Sequence, residues 1–408
     1  MLKSTKKISK IKKIYLDYAS GVSANSSSLH EFGLVAKEKL RKARKKFARV
    51  LNCRGGEIIF TSGGTESNNL AIFGLVRNFK NSHIITTNIE HASVLETCKY
   101  LEKTRQAQVT FVKVEKNGIV DPKKIKKAFK KNTVLVSVMY ANNEIGTVQP
   151  IEEIGKVVRH HNKSTGRKLF EWSGRGRDPE IRGPEKSFPS RAFFHTDAVQ
   201  AANYLDLNVA RLGVDMLSLN SAKISLQKGI GALYVKSGTP VTPIMFGGNQ
   251  EGGLRPGTEN VEAVEKFAQA LEFTQKIKDK ESKRLTKLRD YFFEKLSKMS
   301  RLNLDIKVVM NGDLENRLPN NVNITIPNIP SDLLVIELSA RGIMVSSKSA
   351  CKQGDGKASH VIKAINKNAK DSDGSLRFSL GRETTKKDIN YTIKSLKEIM
   401  VKLKKWYH

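Results

Sequence analysis

Short apolar runs alternate with helical patterns along the first 235 residues of this chain. A helix is indicated at about 29–51, and further helical patterns separate most of the strand candidates that follow it. This alternation predicts an α/β fold with a mostly parallel sheet covered by helices on both faces. The strand candidates are residues 57–61, 83–87, 109–114, 133–140, 192–196, 216–219 and 232–235.

A long helical stretch at 258–299 follows the last of these strands, and the apolar segments 323–326, 333–340 and 377–379 come after it. The last helix begins at the cap Thr384-Thr385 and carries its apolar side chains on one face. We therefore expect a second, smaller α+β domain at the C-terminal end. The apolar residues of the last helix are Ile389, Ile393, Leu396, Met400 and Leu403.

The predicted organisation has three parts and one interruption. Residues 1–13 are a basic arm, 14–257 a large domain and 258–408 a small C-terminal domain. Residues 163–191, rich in Gly, Pro, Arg and Lys, interrupt the large domain. Long insertions in compact domains are usually surface loops or functional appendages, and a surface loop is favoured here over a partner-binding element.

The charge balance is strongly basic, with 72 Lys and Arg residues against 40 Asp and Glu residues and a net charge of +32. Such a field attracts nucleic acid and other polyanions nonspecifically. The lysines are spread over most helical faces, however, and no aromatic RNA-binding signature occurs. A compositional origin is preferred, while tRNA or an acidic protein remains open as a partner.

Several classes of protein are disfavoured. No apolar run is long enough to span a bilayer, and the basic N-terminus lacks the apolar centre of a secretory signal. The three cysteines, Cys53, Cys98 and Cys351, fit neither a disulfide framework nor a zinc site. We expect a cytoplasmic protein with no membrane contact and no bound metal.

Polar side chains follow two strands of the predicted sheet. Asp197 comes directly after the strand at 192–196, and Lys223 follows the strand at 216–219. Ligands of open α/β sheets bind beyond the carboxyl ends of the strands. Pyridoxal phosphate (PLP) needs a lysine for covalent attachment and a partner group, often Asp, for its ring nitrogen. The pair therefore predicts a PLP-dependent enzyme.

The strand at 57–61 leads through Gly63, Gly64 and Thr65 into a helix. A helix start offers free N–H groups and a positive dipole end, and glycines let an anion approach the backbone closely. Thr65 adds a hydroxyl donor. An ordinary strand-to-helix turn capped by Thr65 is the alternative, but the Lys223 pattern favours a phosphate site. A second glycine-rich stretch, at 246–260, also precedes a helix.

Seven stretches of the chain resemble the cysteine desulfurases of the iron–sulfur and nitrogen-fixation type, within the class V aminotransferases. The resemblance runs from about residue 14 to the C-terminal helix, apart from residues 163–191. It implies the PLP-dependent transferase fold type I, L-cysteine as substrate, a homodimer and a sulfur-acceptor protein. The stretches are FTSGGTESNNLA (60–71), EH (90–91), NNEIG (142–146), HTDAVQ (195–200), RPGTEN (255–260), SSKSAC (346–351) and RFSLGR (377–382).

The resemblance also implies a role for each matched residue. Lys223 would hold the cofactor and act as general base, Asp197 would keep the ring nitrogen protonated, and Cys351 would accept the sulfur. Further roles fall to residues that contact the cofactor or the substrate. These are His91 stacked on the ring, Asn143 and Gln200 at the ring hydroxyl, Gly64 and Thr65 at the phosphate, Thr258 at the phosphate from the other subunit, and Arg377 at the substrate carboxylate.

The surroundings of Cys351 differ from those of the other two cysteines. Cys351 lies in a polar, glycine-containing stretch with flanking lysines, which favours the thiolate. Cys53 and Cys98 occur in or at the end of helical patterns and are interpreted as structural. The implied reaction gives L-alanine and a Cys351 persulfide, destined for iron–sulfur cluster assembly or tRNA thiolation.

The chain departs from the family pattern in three places. Asn220-Ser221-Ala222-Lys223 stands where the family usually has Ser-Gly-His-Lys, so Asn220 or Ser221 would have to donate the hydrogen bond on the phosphate side. The segment between 17–21 and 25–30 is shortened, and residues 163–191 are foreign to the pattern. These departures support a rival, a weakly active relative that serves as a scaffold. Another class V lyase or transaminase is a second rival, and the charge alone suggests a third, an RNA-associated protein.

Overall fold

The computed structural model describes residues 13–21, 25–165, 191–225, 227–301, 307–347, 359–366, 368–370 and 374–407. Seven strands form a sheet in the order β1-β7-β6-β5-β4-β2-β3. Strands β2 to β6 are parallel where they pair, whereas β7 is antiparallel to both β6 and β1. The predicted α/β fold with a mostly parallel sheet is confirmed. The strands are β1 (Ile58–Thr61), β2 (Ser82–Thr87), β3 (Ala107–Val112), β4 (Thr133–Ser137), β5 (Phe193–Asp197), β6 (Met216–Asn220) and β7 (Gly231–Val235).

Helices cover the sheet, and its central strands are buried on both faces. Every residue of β4, β5 and β7 is buried, as expected for strands with covered faces. The helices are α1 (Glu31–Leu51), α2 (Gly64–Val76), α3 (Ala92–Lys103), α4 (Pro122–Ala128), α5 (Ile151–Ser164), α6 (Val209–Leu212), α7 (Val261–Arg301), α8 (Ser331–Ser339), α9 (His360–Ile365) and α10 (Lys386–Tyr407).

Helix α7 contributes to two separate apolar cores. Phe267 in its first half packs edge-on against Phe47 of α1, with ring centroids 4.9 Å apart, in the core around the large sheet. Phe292 in its second half packs against Phe378, at 5.0 Å, in a second core at the C-terminal end. One continuous helix therefore contributes to both cores. The predicted domain boundary between residues 257 and 258 stays a prediction.

The second core is built on a three-stranded antiparallel sheet of β8 (Val309–Met310), β9 (Asn321–Ile326) and β10 (Gly374–Ser379), in the order β10-β9-β8. The apolar segment predicted at 333–340 forms α8. Helix α10 begins directly after Thr385, as its cap predicts, and the Thr385 hydroxyl donates to Asp388 Oδ2 at 2.8 Å.

No helix in the described part of the chain is long and apolar enough to cross a membrane. Several predictions fall on positions outside the described residues. These are most of the basic arm (1–12), most of the insertion (166–190) and Cys351.

Candidate active site

Helix α2 begins immediately beyond the carboxyl end of β1, at the predicted phosphate-binding turn. The N–H groups of Gly64, Thr65 and Glu66 have no acceptor among the described residues. A Cβ atom at position 64 would lie 2.9 Å from Val199 Cγ2 and 3.4 Å from Asn220 Cβ, so this close approach requires glycine. The helix start therefore presents free donors and a positive dipole end to an anion.

Asp197 is the last residue of β5 and its side chain is buried. Asn68 Nδ2 donates to Asp197 Oδ2 at 2.8 Å, and the Val199 N–H donates to Asp197 Oδ1 at 3.0 Å. These two donors fix the orientation of the carboxylate.

The same Asn68 amide connects Asp197 to His91. Asn68 Nδ2 also donates to Ser93 Oγ at 2.8 Å, and Ser93 Oγ lies 2.8 Å from His91 Nδ1. His91 is the cap of α3, and its Nδ1 accepts the Ser93 N–H at 3.1 Å. A chain of hydrogen bonds, buried from Asp197 to Ser93 and half-buried at His91, thus holds the acid and the imidazole in one arrangement.

Sequence analysis assigned no role to Asn68 or Ser93. Asn68 is four residues after Gly64 and shares the buried side of α2 with Ala71 and Leu75. A polar side chain at such a position is the signal that could have revealed it, because buried amides need partners. Asn68 Oδ1 is also buried and has no hydrogen-bond partner within the described chain.

Lys223 ends a three-residue 3₁₀ turn, Ser221–Lys223, that follows β6. Its side chain is exposed and forms no hydrogen bond or ion pair with the described residues; it borders a surface depression with Phe273 and Arg382. Asp197 pairs with Ser218 of β6 in the sheet. The turn that carries Lys223 starts at Ser221, three residues after Ser218 along the chain.

The two alternatives for the missing phosphate-side donor differ in position. Asn220 Nδ2 would be 3.7 Å from a Cβ at Gly64, so this amide lies beside the start of α2. Ser221 is buried and its hydroxyl lies 2.8 Å from Ser225 Oγ. Asn220, rather than Ser221, is therefore near the free N–H groups.

Arg377 approaches the large sheet from β10 of the small one. Its Nη1 donates to the Asn143 carbonyl at 3.1 Å, and its Nε is buried without a partner among the described residues. Burial lowers the pKa of Arg377, and the nearby Glu144 carboxylate opposes that shift. A largely buried guanidinium with an unused N–H suits a carboxylate ligand.

Gln200 is half-buried just after β5, and Thr258 is exposed on the loop before α7. Arg255 of the same loop bonds Glu66 of α2, with 3.0 Å between Nε and Oε1. The Ser62 N–H donates to the other Glu66 oxygen at 2.7 Å. The loop before α7 is thereby attached to the first turn of α2.

Glu90 is a further buried carboxyl group near the site, and the sequence analysis gave it no role. It is fully buried, accepts the Thr87 hydroxyl at 2.6 Å and accepts the Met139 N–H at 3.0 Å. Burial raises the pKa of Glu90 to about 8, and the Asp197 charge acts in the same direction. This carboxyl ties together the chain segments that follow β2 and β4, next to His91.

Both described cysteines are poor nucleophiles. Burial raises the pKa of Cys53 to about 12 and raises that of the fully buried Cys98 further. Their predicted structural character is consistent with these surroundings. No group of His, Cys, Asp and Glu side chains in the described ranges could hold a metal ion.

Comparisons with known proteins agree on one family. The profile of the class V aminotransferases matches residues 3–165 and 186–392. The chain is 39% identical to a cysteine desulfurase IscS from Dictyoglomus turgidum, with 96% of each chain covered. It is 38% identical to a cysteine desulfurase IscS from Methanosarcina thermophila, over 95% of this chain and 88% of the other.

Two solved structures extend the agreement to the fold. A NifS-like protein superposes with a TM-score of 0.79 at 32% identity, covering 93% of this chain and 92% of the other. A protein described as SspA in complex with cysteine superposes with a TM-score of 0.68 at 31% identity, covering 88% and 90%. The chain therefore belongs to the class V aminotransferase family and, within it, to the cysteine desulfurases.

Proposed function

We propose that this protein is a PLP-dependent enzyme that converts L-cysteine to L-alanine and carries the released sulfur as a persulfide on Cys351. The observation that supports this most directly is the chain of contacts from Asp197 through Asn68 and Ser93 to His91, beside the free N–H groups of α2. An acid, an imidazole and an anion-binding helix start then lie together at the carboxyl edge of the sheet.

The described residues fit the cofactor. The backbone N–H groups of Gly64 and Thr65 and the side-chain amide of Asn220 would hold its phosphate, because these donors lie together at the start of α2. Asp197 would bind the ring nitrogen, and His91 would lie against the ring. Asn143 and Gln200 are proposed at the ring hydroxyl, Thr258 of a second subunit at the phosphate, and Lys223 at the covalent link. When bound, PLP supplies an electron sink for the electrons released at the substrate Cα.

The protein's own groups then divide the work. Arg377 binds the substrate carboxylate through its planar donor fork. Asp197 keeps a proton on the ring nitrogen, and Lys223 Nζ takes the Cα proton as general base. The Cys351 thiolate attacks the substrate sulfur, so an S–S bond forms while the Cβ–S bond breaks and its electrons return to the carbon, which is protonated. The products are L-alanine and the Cys351 persulfide.

The oligomeric state, the sulfur acceptor and the cellular location are proposals as well. A homodimer and a sulfur-acceptor protein are expected, with iron–sulfur cluster assembly and tRNA thiolation as the two destinations. The cytoplasmic location and a tRNA contact through the basic surface stay predictions of the sequence. The scaffold alternative is favoured by one observation, the exposure of Lys223 beside Ala222.

The deciding experiment measures the absorbance spectrum of the purified protein with PLP and assays the alanine and the persulfide formed from L-cysteine, the persulfide as the sulfide that an added thiol reductant releases from it. We expect a band near the edge of the visible range that borohydride removes and that is absent in Lys223→Ala. Equal production of alanine and persulfide would confirm the desulfurase. A protein that stays colourless at saturating PLP would refute it and favour the scaffold.

A further inference from the structure

The turn that carries Lys223 has few fixed points of its own. Ala222 contributes only a methyl group, and the cap Asn220 Oδ1 accepts the Ala222 N–H at 3.1 Å. The Ser221 N–H donates to the Ile230 carbonyl at 3.1 Å, while the Ile224 N–H returns to Ser221 within the turn, at 2.8 Å. These contacts fix the beginning of the turn, so the position of Lys223 depends on what holds its end.

The end of the turn is held from outside by Asn203. Its Nδ2 donates to the carbonyl oxygen of Lys223 at 2.5 Å. Both residues follow strands that end at the candidate site. Asn203 comes six residues after the end of β5, and Lys223 comes three residues after the end of β6. The contact joins the two segments that leave neighbouring parallel strands.

The segment from Asp197 to Asn203 is itself well anchored. The Ala201 and Ala202 N–H groups both donate to the Ala198 carbonyl, at 3.0 and 3.2 Å. Gln275 of α7 donates to the Ala202 carbonyl at 2.7 Å and fixes the segment from the other side. Asn203 therefore connects Lys223 to a rigid stretch that starts at Asp197.

We propose that Asn203 is a positioning residue that sets the Lys223 backbone relative to Asp197. This inference rests on the proposed function, in which the lysine and the acid must reach opposite parts of one cofactor. Such a pair needs placement within a fraction of an ångström, and supporting hydrogen bonds supply it. Asn203 acts through the Lys223 carbonyl and touches neither cofactor nor substrate.

The test compares Asn203→Ala and Asn203→Asp with the parent protein. Both variants lose the donor, whereas Asn203→Gln keeps an amide and tests for rescue. Asn132→Ala is the matched control, because Asn132 Nδ2 donates to the Asn81 carbonyl at 2.6 Å at the amino ends of β2 and β4. Thermal unfolding of each apoprotein shows that the variants are folded.

Two readouts do not depend on turnover. The affinity of the apoprotein for PLP is measured by absorbance titration, and the rate of covalent capture at position 223 by borohydride trapping and mass spectrometry. We expect affinity and capture rate to fall about three- to tenfold in Asn203→Ala and Asn203→Asp, the range for one hydrogen bond, with partial recovery in Asn203→Gln. Asn132→Ala should match the parent.

The outcomes separate this inference from the function on which it rests. Unchanged affinity and capture rate in the folded Asn203 variants would overturn the positioning role while leaving the function intact. An equal loss in Asn132→Ala would also overturn it, because the effect would then not be specific to the Lys223 turn. Failure of the parent protein to capture PLP at position 223 would overturn both.

Discussion

The amide of Asn68 donates to Asp197 Oδ2 and to Ser93 Oγ, each at 2.8 Å, and so lies between the acid and the residue that contacts His91. All three of Asn68, Ser93 and Asp197 are buried. In a region shielded from water, each of these hydrogen bonds restricts the side chains strongly, and loss of one leaves a partner unsatisfied.

Asn68→Ala should therefore weaken PLP binding without removing any group that we assign to the cofactor. We expect about a tenfold loss of affinity, because Asp197 loses one of its two fixed donors. Absorbance titration of the apoprotein measures this. Asn78→Ala is the control, since Asn78 lies just beyond the far end of the same helix and its Nδ2 donates to the Pro240 carbonyl at 2.8 Å. An affinity equal to that of the parent would show that Asn68 does not orient Asp197.

The sequence was sufficient to predict where Asp197 and Lys223 occur in the fold. Each follows an apolar run of a parallel strand, and such strands end at the same edge of a sheet. The end of the chain was also predictable, because the Thr385 cap and the apolar spacing of α10 are local signals.

Contacts that depend on distant parts of the chain were not predictable in this way. Asn68 and Asp197 are 129 residues apart, and nothing local identifies them as partners. The antiparallel direction of β7 could not be predicted from its apolar run either, since buried parallel and antiparallel strands have the same apolar sequence pattern. The predicted strand at 133–140 is shorter in the structure, where β4 ends at Ser137, although the N–H groups of Val138 and Tyr140 still donate to the His195 and Asp197 carbonyls of β5, at 3.1 and 2.9 Å.

Glu90 should make the protein less stable as the pH rises. Its pKa is 4.5 in an unfolded chain and about 8 in the folded one. Between these values the unfolded carboxyl is ionised while the folded one keeps its proton, so the unfolded state binds fewer protons and is favoured by rising pH. The contribution of Glu90 to the free energy of unfolding is fully present below pH 4.5 and is lost as the pH rises to about 8.

The Glu90→Gln variant removes this titration while keeping an oxygen acceptor for Thr87. We expect its thermal midpoint to fall less than that of the parent between pH 5 and pH 8, roughly the interval between the two pKa values. Glu96→Gln is the control, because Glu96 is exposed and pairs with Lys99. Parallel pH profiles for the parent and Glu90→Gln would contradict the shifted pKa.

Arg377→Lys should raise KM for L-cysteine much more than it lowers the affinity for PLP. A lysine keeps the charge but not the planar fork that binds a carboxylate through two N–H groups. We expect kcat/KM to fall about 10- to 100-fold, as for the loss of one hydrogen bond to a charged group. Steady-state kinetics and PLP titration together measure this. Arg341→Lys, where the arginine pairs with Glu337, should leave both quantities unchanged.

The three cysteines should differ in their reaction with iodoacetamide. Burial raises the pKa of Cys53 to about 12 and raises that of Cys98 as well, so neither supplies much thiolate near neutral pH. We expect Cys351 to be alkylated first, with desulfurase activity lost in proportion, as followed by mass spectrometry of the labelled peptides. Cys351→Ala should keep the PLP absorbance and lose persulfide formation, whereas Cys53→Ala should retain both. Persulfide on Cys53 or Cys98 in the Cys351→Ala variant would mean that the sulfur acceptor has been assigned to the wrong thiol.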